Sequence, residues 1–185
     1  MSTTATTPAP TPAPTRADGS PSTTTLIVGG VSGSGKTTVA QSVAAERGWV
    51  FAEGDDFHSA ANVEKMRSGH PLDDEDRWPW LREIAAWIGE REAAGESAVI
   101  TCSALKRAYR DLLSGPNPSV VFCELKVPGD VLAQRLAERK DHYMPASLLR
   151  SQLDTLEDLA PEERGFVVRV EGGPDAVLAE VLGHL

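Results

Sequence analysis

The chain has 185 residues and a formal net charge of -9 at pH 7, and its length suits a single domain with a full hydrophobic core. The acidic balance argues against nucleic-acid and membrane-surface partners, because proteins that bind those surfaces carry a basic excess, and a small-molecule partner fits better. No apolar run approaches the roughly 18 residues needed to cross a bilayer, and the N-terminus lacks the basic and then apolar segments of a secretory signal.

Residues 1 to about 24 are composed almost entirely of Thr, Pro, Ala and Ser. Such a stretch cannot bury enough apolar surface to offset the entropy lost on ordering. We therefore expect a disordered tail at 1–24 and one folded domain at 25–185. The alternative, a transit peptide, would be richer in arginine.

The first apolar run leads directly into a glycine-rich loop that matches the phosphate-binding motif G-x-x-x-x-G-K-[ST]. The run is Leu26-Ile27-Val28, and the loop reads Gly30-Val31-Ser32-Gly33-Ser34-Gly35-Lys36-Thr37, with Thr38 after it. Glycines let successive backbone N–H groups converge on one concavity, and the following helix adds its positive N-terminal end. We predict a nucleotide site with Lys36 at the β- and γ-phosphates and the Thr37 hydroxyl on Mg²⁺.

Strand and helix patterns alternate along the rest of the chain. The predicted strands after the first are Trp49–Ala52, Ala98–Cys102, Val120–Cys123 and Phe166–Val170. Helical spacing covers 39–47, 62–67, 80–88, 109–113, 131–136, 148–156 and 177–182, with Pro79 in the first turn of the third helix and Pro128 opening the fifth. This alternation predicts an α/β fold, a parallel sheet with helices on both faces.

The two cysteines, Cys102 and Cys123, both lie in predicted central strands. Free cysteines are among the most buried residues, and disulfides are rare in the cytosol. We expect reduced core thiols in a cytosolic protein.

Two carboxylates follow the second predicted strand, in Glu53-Gly54-Asp55-Asp56-Phe57-His58. Ligands bind at the carboxyl-terminal edge of such sheets, and phosphoryl transfer needs a group that orients the acceptor hydroxyl. We expect Asp55 to face the phosphate loop and accept the hydroxyl's proton. Glu53, on the same face of the strand, would hold Mg²⁺ through water. The alternative for Asp55 is a cap on the helix near Ser59.

Three cations near the other strand ends are candidates for holding an anionic substrate group. Arg77 follows the acidic run Asp73-Asp74-Glu75-Asp76, which serves either as helix cap and dipole compensation or as solvated surface. Its planar guanidinium suits a substrate carboxylate. The alternative is an ion pair of Arg77 with Asp73 or Asp74. Lys106 and Arg110 follow the third strand, where ordinary helix-surface cations are the alternative.

The segment from Arg135 to Tyr143 is dense in cations and lies between two predicted helices. This placement suits a mobile lid, at about 137–146, that closes over the phosphates and excludes water. Arg139 is the leading candidate for the cation that meets transition-state charge, with Arg135 second. A solvated surface turn with paired charges is the alternative.

Several longer motifs together resemble the gluconokinase family of small P-loop kinases, and the likeness runs from about Leu26 to the C-terminus. Besides the phosphate loop and residues 53–58, the motifs are Asn62-Val63-Glu64-Lys65-Met66, Pro71-Leu72-Asp73-Asp74-Glu75-Asp76-Arg77-Trp78-Pro79-Trp80-Leu81, Cys102-Ser103-Ala104-Leu105-Lys106, Tyr109-Arg110-Asp111, Arg135-Leu136, Arg139-Lys140-Asp141-His142 and Gln152-Leu153-Asp154-Thr155-Leu156-Glu157. The runs at 71–81 and 102–106 are more specific to that family than the phosphate loop, which indicates only a nucleotide.

The resemblance implies a three-layer P-loop kinase fold whose five-stranded parallel sheet has the order 2-3-1-4-5, with a mobile lid. The implied reaction is ATP-dependent phosphorylation of D-gluconate at its 6-hydroxyl, giving 6-phospho-D-gluconate and ADP, with Mg²⁺, in a cytoplasmic homodimer. It also implies site residues: Lys36, Asp55 and Arg139 in catalysis; the residues of the phosphate loop, Thr38 and Arg135 at the nucleotide; Asp55, His58, Arg77, Lys106, Arg110 and His142 at gluconate; and Thr37 and Glu53 at the metal. Apart from the resemblance, His58 reads as an ordinary loop histidine.

Other functions leave signatures that are missing here. A kinase for another small hydroxy acid, similar to shikimate kinase, is the nearest rival, but the triple-glycine segment of that family is absent. A GTPase-like switch needs D-x-x-G after a strand and N-K-x-D, and neither is present. A nucleotide-binding module without turnover is expected to lose Lys36 or Asp55, and both remain.

Overall fold

The computed structural model describes residues 23–138 and 147–185, and in that part of the chain five β-strands alternate with seven α-helices. In chain order these are β1 Thr25–Gly29, α1 Lys36–Arg47, β2 Val50–Ala52, α2 Ala60–Arg67, α3 Asp74–Ala93, β3 Ala98–Thr101, α4 Arg107–Ser114, β4 Val120–Lys126, α5 Gly129–Glu138, α6 Ser147–Thr155, β5 Gly165–Arg169 and α7 Pro174–Gly183. A short 3₁₀ turn, Gly54–Phe57, follows β2. None of the helices within the described ranges is long and apolar enough to span a membrane.

The strands form one parallel sheet in the order β2-β3-β1-β4-β5, which confirms the predicted α/β class and strand order. The central strand is β1, whose Val28 pairs with Thr101 of β3 and with Cys123 of β4. Since the strands run parallel, their carboxyl ends meet at one edge. The segments that follow β1, β2 and β3 lie far apart in the sequence, and the sheet brings them together at this edge.

Helices cover both faces of this sheet, and alternate residues of β1 point to opposite faces. Leu26 and Val28 pack with α1 and α7, in a cluster that includes Val39, Ala40, Val43, Val177 and Val181. Ile27 packs with α3 and α4, in a cluster that includes Trp80, Leu81, Ile84, Ile88, Tyr109 and Leu113. The predicted core thiols, Cys102 and Cys123, are buried and free. The site edge is therefore supported from two packed layers.

The third helix starts five residues before the point that Pro79 predicted. The Asp73 carboxylate accepts from the backbone N–H of Asp76 at 3.0 Å, and the Asp76 carboxylate accepts from the backbone N–H of Asp73 at 3.0 Å. This reciprocal cap starts α3 at Asp74 and leaves Pro79 inside the helix. The expectation that Pro79 lies in the first turn is wrong, because the cap satisfies the helix end earlier. Of the two roles open for the acidic run, capping is the one the structure supports.

The folded region also starts slightly before residue 25. Thr23 is buried, and the backbone N–H of Thr24 donates to Ser97 Oγ at 3.1 Å. The Thr24 carbonyl accepts from the backbone N–H of Ala98 at 2.9 Å, which continues the ladder between β1 and β3. Both residues, expected in the tail, thus pack on the sheet.

Candidate active site

The phosphate loop, residues 30–37, joins β1 to α1 and folds into a compact turn that is called the phosphate crown below. Gly30 has φ of 127°, and a Cβ there would lie 2.8 Å from the Leu125 carbonyl oxygen and from Ser34 Oγ, so only glycine fits. Lys36 curls back, and its ammonium donates to the Val31 carbonyl at 3.1 Å. The loop therefore places glycine-rich backbone and one ammonium at the start of a helix, and this arrangement is typical of phosphate sites.

A cavity of about 350 Å³ opens beside the loop, between α1, α5 and α7. Its lining combines loop backbone with apolar side chains: Gly33, Ser34, Gly35, Thr38, Val39, Arg135, Val170, Gly172, Pro174 and Val177. Arg135 Nη1 donates to the Gly33 carbonyl at 3.3 Å. A partly apolar cavity that continues from a phosphate crown has the character expected for a nucleoside.

The corner between β2 and the loop gathers oxygen atoms suited to Mg²⁺. The Thr37 hydroxyl donates to Glu53 Oε2 at 2.8 Å, and the Thr101 hydroxyl donates to the other oxygen of Glu53. In residues 23–138 and 147–185 no group of three or more His, Cys, Asp or Glu side chains is placed to hold a metal. Mg²⁺ often binds through one or two protein oxygens and substrate phosphates rather than in an all-protein cage, so Thr37 and Glu53 are the residues here that could hold it.

Asp55 lies in the 3₁₀ turn after β2, at the boundary of two cavities. One cavity contains Lys36, Thr37 and Glu53; the other is lined by Asp55, His58, Met66, Pro71, Leu72, Arg77, Ser103, Leu148, Ser151, Gln152 and Thr155 and is called the acid pocket below. The capping alternative for Asp55 fails, since Ser59 itself caps α2 by accepting from the backbone N–H of Asn62 at 3.2 Å. Asp55 thus lines both cavities.

Contacts with two neighbouring elements hold the turn that carries Asp55. A Cβ on Gly54 would lie 1.9 Å from the Thr101 carbonyl oxygen, so the turn presses directly against β3. The Trp80 indole N–H donates to the Gly54 carbonyl at 2.7 Å. Contacts to β3 and to α3 thus fix this short turn.

His58 forms one wall of the acid pocket and stacks on Trp80, with ring centroids 4.2 Å apart. Burial lowers the pKa of His58 to about 4; the nearby Asp55 opposes that shift and Arg77 adds to it. Its Nε2 lies 3.9 Å from Asp55 Oδ1, beyond hydrogen-bond distance. At neutral pH the ring is therefore uncharged and does not form an ion pair with Asp55.

The structure separates the three cations that were candidates for an anionic group. Arg77 lines the acid pocket, with its Nε donating to the Leu72 carbonyl at 3.3 Å, and no ion pair within the described ranges includes it. The predicted alternative, an ion pair with Asp73 or Asp74, is not formed. Lys106 instead pairs with Asp74 at 2.7 Å, and this bond raises the pKa of Lys106.

Arg110 lies outside the pocket, which corrects its assignment to substrate binding. Its guanidinium makes two hydrogen bonds to Glu163, at 2.6 and 2.9 Å, and others to the backbone carbonyls of Glu157 and Asp158. Only 6% of the side chain is exposed. This bidentate buried pair joins α4 to the segment before β5, so the cation has no free face for a ligand.

Two residues of the site carried no chemical prediction from the sequence. Gln152, on α6, lines both cavities at Asp55, and its Oε1 accepts from the backbone N–H of Ser32 at 2.6 Å. Ser103, just after β3, also lines both cavities. Each stands in a motif of the family resemblance, which was the one signal that pointed to them. Arg139, His142 and most of the expected lid lie outside the described residues.

Comparison with known proteins gives concordant results. A protein-family profile described as an AAA domain matches residues 26–160. The chain is 51% identical to a gluconokinase of Gluconobacter oxydans over 161 residues, 86% of this chain and 89% of that protein. A crystal structure of a sugar kinase from Janibacter sp. superposes with a TM-score of 0.84 at 52% identity, covering 87% of this chain and 93% of the other. A crystal structure of a gluconokinase from Sinorhizobium meliloti gives a TM-score of 0.76 at 43% identity, covering 87% and 90%.

Proposed function

Since the chain belongs to the gluconokinase family, we propose that it transfers the γ-phosphoryl group of ATP to the 6-hydroxyl of D-gluconate, giving 6-phospho-D-gluconate and ADP. The observation that carries this proposal is the position of Asp55 between the phosphate crown and the acid pocket. An acceptor hydroxyl at that boundary meets a carboxylate on one side and the terminal phosphate on the other. This is the geometry that phosphoryl transfer requires.

The nucleotide half of the site follows from the phosphate crown. The backbone N–H groups of the loop and the Lys36 ammonium hold the phosphates, and the ammonium moves from the Val31 carbonyl onto the β- and γ-oxygens. Adenosine occupies the cavity lined by Thr38 and Arg135. Thr37 and Glu53 would hold Mg²⁺, which would neutralise charge on the phosphate oxygens.

Asp55 orients the 6-hydroxyl of gluconate and takes its proton. As the oxygen–phosphorus bond forms, the bond from the γ-phosphorus to the bridging oxygen breaks, and ADP leaves with that electron pair. The proton passes to an oxygen of the Asp55 carboxylate. His58, uncharged at neutral pH, offers the sugar acid a neutral hydrogen-bonding wall rather than a second negative or positive charge.

Arg77 holds the carboxylate of gluconate at the far end of the pocket. It is the cation, of the three considered, that lines the pocket with Asp55 and lacks a carboxylate partner in the described part of the chain. A guanidinium binds a carboxylate through two parallel N–H groups, so the acid is gripped at one end while its other end reaches Asp55. Lys106, predicted at gluconate, is instead paired with Asp74 and is not among the residues that line this pocket.

The same family membership supports a cytoplasmic homodimer that requires Mg²⁺, with a lid at 137–146 carrying Arg139 and His142. In this proposal Arg139 meets the transferring phosphoryl group, His142 contacts gluconate, and residues 1–22 stay outside the catalytic domain. Two free buried thiols suit a reducing compartment.

The variant Asp55→Asn tests the proposed reaction, because the amide keeps the shape of the side chain but cannot take a proton. Loss of a general base typically lowers kcat by about 10²- to 10⁴-fold. We expect that fall in gluconate-dependent ADP release, with nucleotide affinity measured on the same sample changed by less than about threefold. Asp56→Asn is the matched control, because Asp56 is the exposed neighbour in the same turn.

Near-normal turnover of Asp55→Asn would remove Asp55 as the base. Loss of nucleotide binding with an intact fold would instead move Asp55 to the metal. Assays of the wild-type chain with a panel of sugar acids and with shikimate test the acceptor itself, and activity on shikimate alone would contradict the proposed substrate.

A further inference from the structure

The helix α6 touches both halves of the site but is only lightly anchored. Its Leu149 packs with Val31 of the phosphate loop, in a buried cluster completed by Leu105 and Leu132. Its Leu148 packs with Met66 and Leu72, which line the acid pocket. Neither residue belongs to the two large clusters that hold the sheet. Elements with few buried apolar contacts open at lower free energy than the core, so ligand contacts can shift them.

A buried hydrogen bond connects this helix to the phosphate loop. Gln152, one turn after Leu148, is 6% exposed, and its Oε1 accepts from the backbone N–H of Ser32 at 2.6 Å. Without this oxygen the N–H of Ser32, itself buried, would lose its partner inside the protein. The bond therefore sets where the first half of the crown lies relative to α6.

We propose that Gln152 is a positioning residue through which the acid pocket and the phosphate loop are coupled, so that sugar acid and nucleotide bind cooperatively. The proposal rests on the proposed function, since it takes D-gluconate as the occupant of the acid pocket. An acid in that pocket contacts the face of α6 formed by Leu148, Ser151, Gln152 and Thr155. The bound acid thereby holds α6 against the opposite wall of the acid pocket, and this keeps the Gln152 oxygen within hydrogen-bond distance of the Ser32 N–H.

The energetic reason is that the loop is rich in glycine, whose backbone loses the most freedom on ordering. If α6 is held, the loop is ordered before the nucleotide arrives and the nucleotide binds more tightly. The same coupling must act in reverse, because coupling between two equilibrium binding steps is reciprocal. Bound nucleotide therefore strengthens the binding of the acid.

The test compares nucleotide affinity with and without acid in the full chain. Calorimetry measures Kd for a non-hydrolysable ATP analogue with Mg²⁺, in the absence of D-gluconate and at saturating D-gluconate. We expect a ratio of at least about fivefold in the wild type, in the range typical of coupled sites. In Gln152→Met, which keeps the length but lacks the oxygen, we expect the ratio to fall below about twofold.

Two further variants separate positioning from a structural role. Gln152→Glu retains an acceptor for the Ser32 N–H, so its ratio stays near the wild-type value even if its charge weakens nucleotide binding overall. Gln152→Asn withdraws the acceptor by one methylene, so we expect the ratio of the two Kd values to fall below about twofold in this variant as well. It replaces Gln152→Met in the test if that variant does not fold. Arg150→Ala is the control on the exposed face of the same helix.

The outcomes are distinct. A Gln152→Met variant that weakens nucleotide binding equally with and without acid would make Gln152 merely structural and would overturn the proposal, as would a wild-type ratio near one. Failure of the proposed function is seen separately, because the wild-type chain would then release no ADP in response to D-gluconate. That result would also overturn the proposed coupling, which takes D-gluconate as the ligand of the acid pocket.

Discussion

At the scale of single residues, the partners a side chain already has decide what it can do. Arg77 and Arg110 are both arginines near the ends of strands, but Arg110 is neutralised by Glu163. The Nε of Arg77 donates to the Leu72 carbonyl and its guanidinium lies over the Tyr109 ring, and it has no carboxylate partner within residues 23–138 and 147–185. A buried, fully bonded guanidinium is costly to remove from its partner, so it cannot serve a ligand. In our proposal, the remaining donors of Arg77 bind the carboxylate of gluconate.

Replacing Arg77 by glutamine should therefore weaken the binding of D-gluconate and leave the binding of ATP nearly unchanged. A hydrogen bond to a charged group contributes about 1.5–3 kcal/mol, so we expect the KM for D-gluconate to rise by roughly 10- to 100-fold. The KM for ATP should change by less than about threefold. Steady-state ADP-release assays give both values, with Arg82→Gln, an exposed position of the same helix, as the control. An unchanged gluconate KM would exclude Arg77 from the carboxylate.

His58 makes stability depend on pH in a defined direction. Its pKa is about 4 in the folded protein because of burial, and about 6.5 when unfolded, so the unfolded chain binds the proton first. Stability from this residue is fully present above about pH 6.5 and is lost as the pH falls towards 4. In His58→Phe, which keeps an aromatic ring on Trp80, this loss is absent.

The measurement is urea unfolding of both proteins at pH 7 and at pH 4.5. We expect the free energy of unfolding of the wild type to fall by about 1–3 kcal/mol more than that of His58→Phe between these conditions. Carboxylates also titrate in this window, but they are the same in both chains. Parallel pH curves would show that His58 is not buried in its neutral form.

At the scale of elements, the site depends on where short segments start and how closely they approach each other. The cap between Asp73 and Asp76 starts α3 early enough to place Arg77 in its first turn and Trp80 against the turn that carries Asp55. On the side of the turn that faces β3 there is no room for a side chain at position 54, since Gly54 lies directly on the backbone of β3. A change of one methyl group there must displace Asp55.

Gly54→Ala should consequently destabilise the fold and lower activity together. Its Cβ would lie 1.9 Å from a backbone oxygen, which cannot move aside as a side chain does. Overpacking of this kind typically costs about 1–3 kcal/mol. We expect a lower urea midpoint and at least about a tenfold fall in kcat, because Asp55 shifts with the turn. Gly183→Ala, where a Cβ meets nothing within 4 Å, is the matched control. Wild-type stability and turnover would refute the close approach.

At the scale of the whole molecule, the sheet acts as the frame of the site. Strands β2, β3 and β1 are neighbours although 20 to 70 residues separate them, and their ends supply the turn with Asp55, Ser103 and the phosphate loop. Thr23 and Thr24 belong to this frame, since Thr23 is buried and the backbone of Thr24 bonds to Ser97 and Ala98 at the start of β3.

Two truncations separate the tail from the frame. Deleting residues 1–22 should leave kcat and Tm within error, because a stretch of that composition buries little apolar surface. Deleting residues 1–24 should lower Tm, since it also removes the buried Thr23 and the two backbone bonds of Thr24. Thermal unfolding and ADP release measure both. A fall in kcat after the shorter deletion would give the tail a role in the reaction.

The sequence by itself determined the features that depend on local patterns. The phosphate loop, the alternation of strands and helices and the carboxylates after β2 are readable because each is a contiguous stretch with its own spacing. The strand order also followed, but from the family resemblance rather than from periodicity. The interpretation of Pro79 as a first-turn residue was wrong because the capping box of Asp73 and Asp76 starts the helix before Pro79 and outweighs the usual preference of proline for the first turn.

Only the tertiary structure decided which side chains are free to act. Arg77, Lys106 and Arg110 are equivalent cations in the sequence, and their roles diverge because Asp74 and Glu163 reach two of them through contacts between distant segments. Gln152 became part of the site for the same reason, since its partner Ser32 is 120 residues away in the chain. Hydrogen bonds and burial of this kind depend on how elements pack in space, and no local pattern encodes the partner.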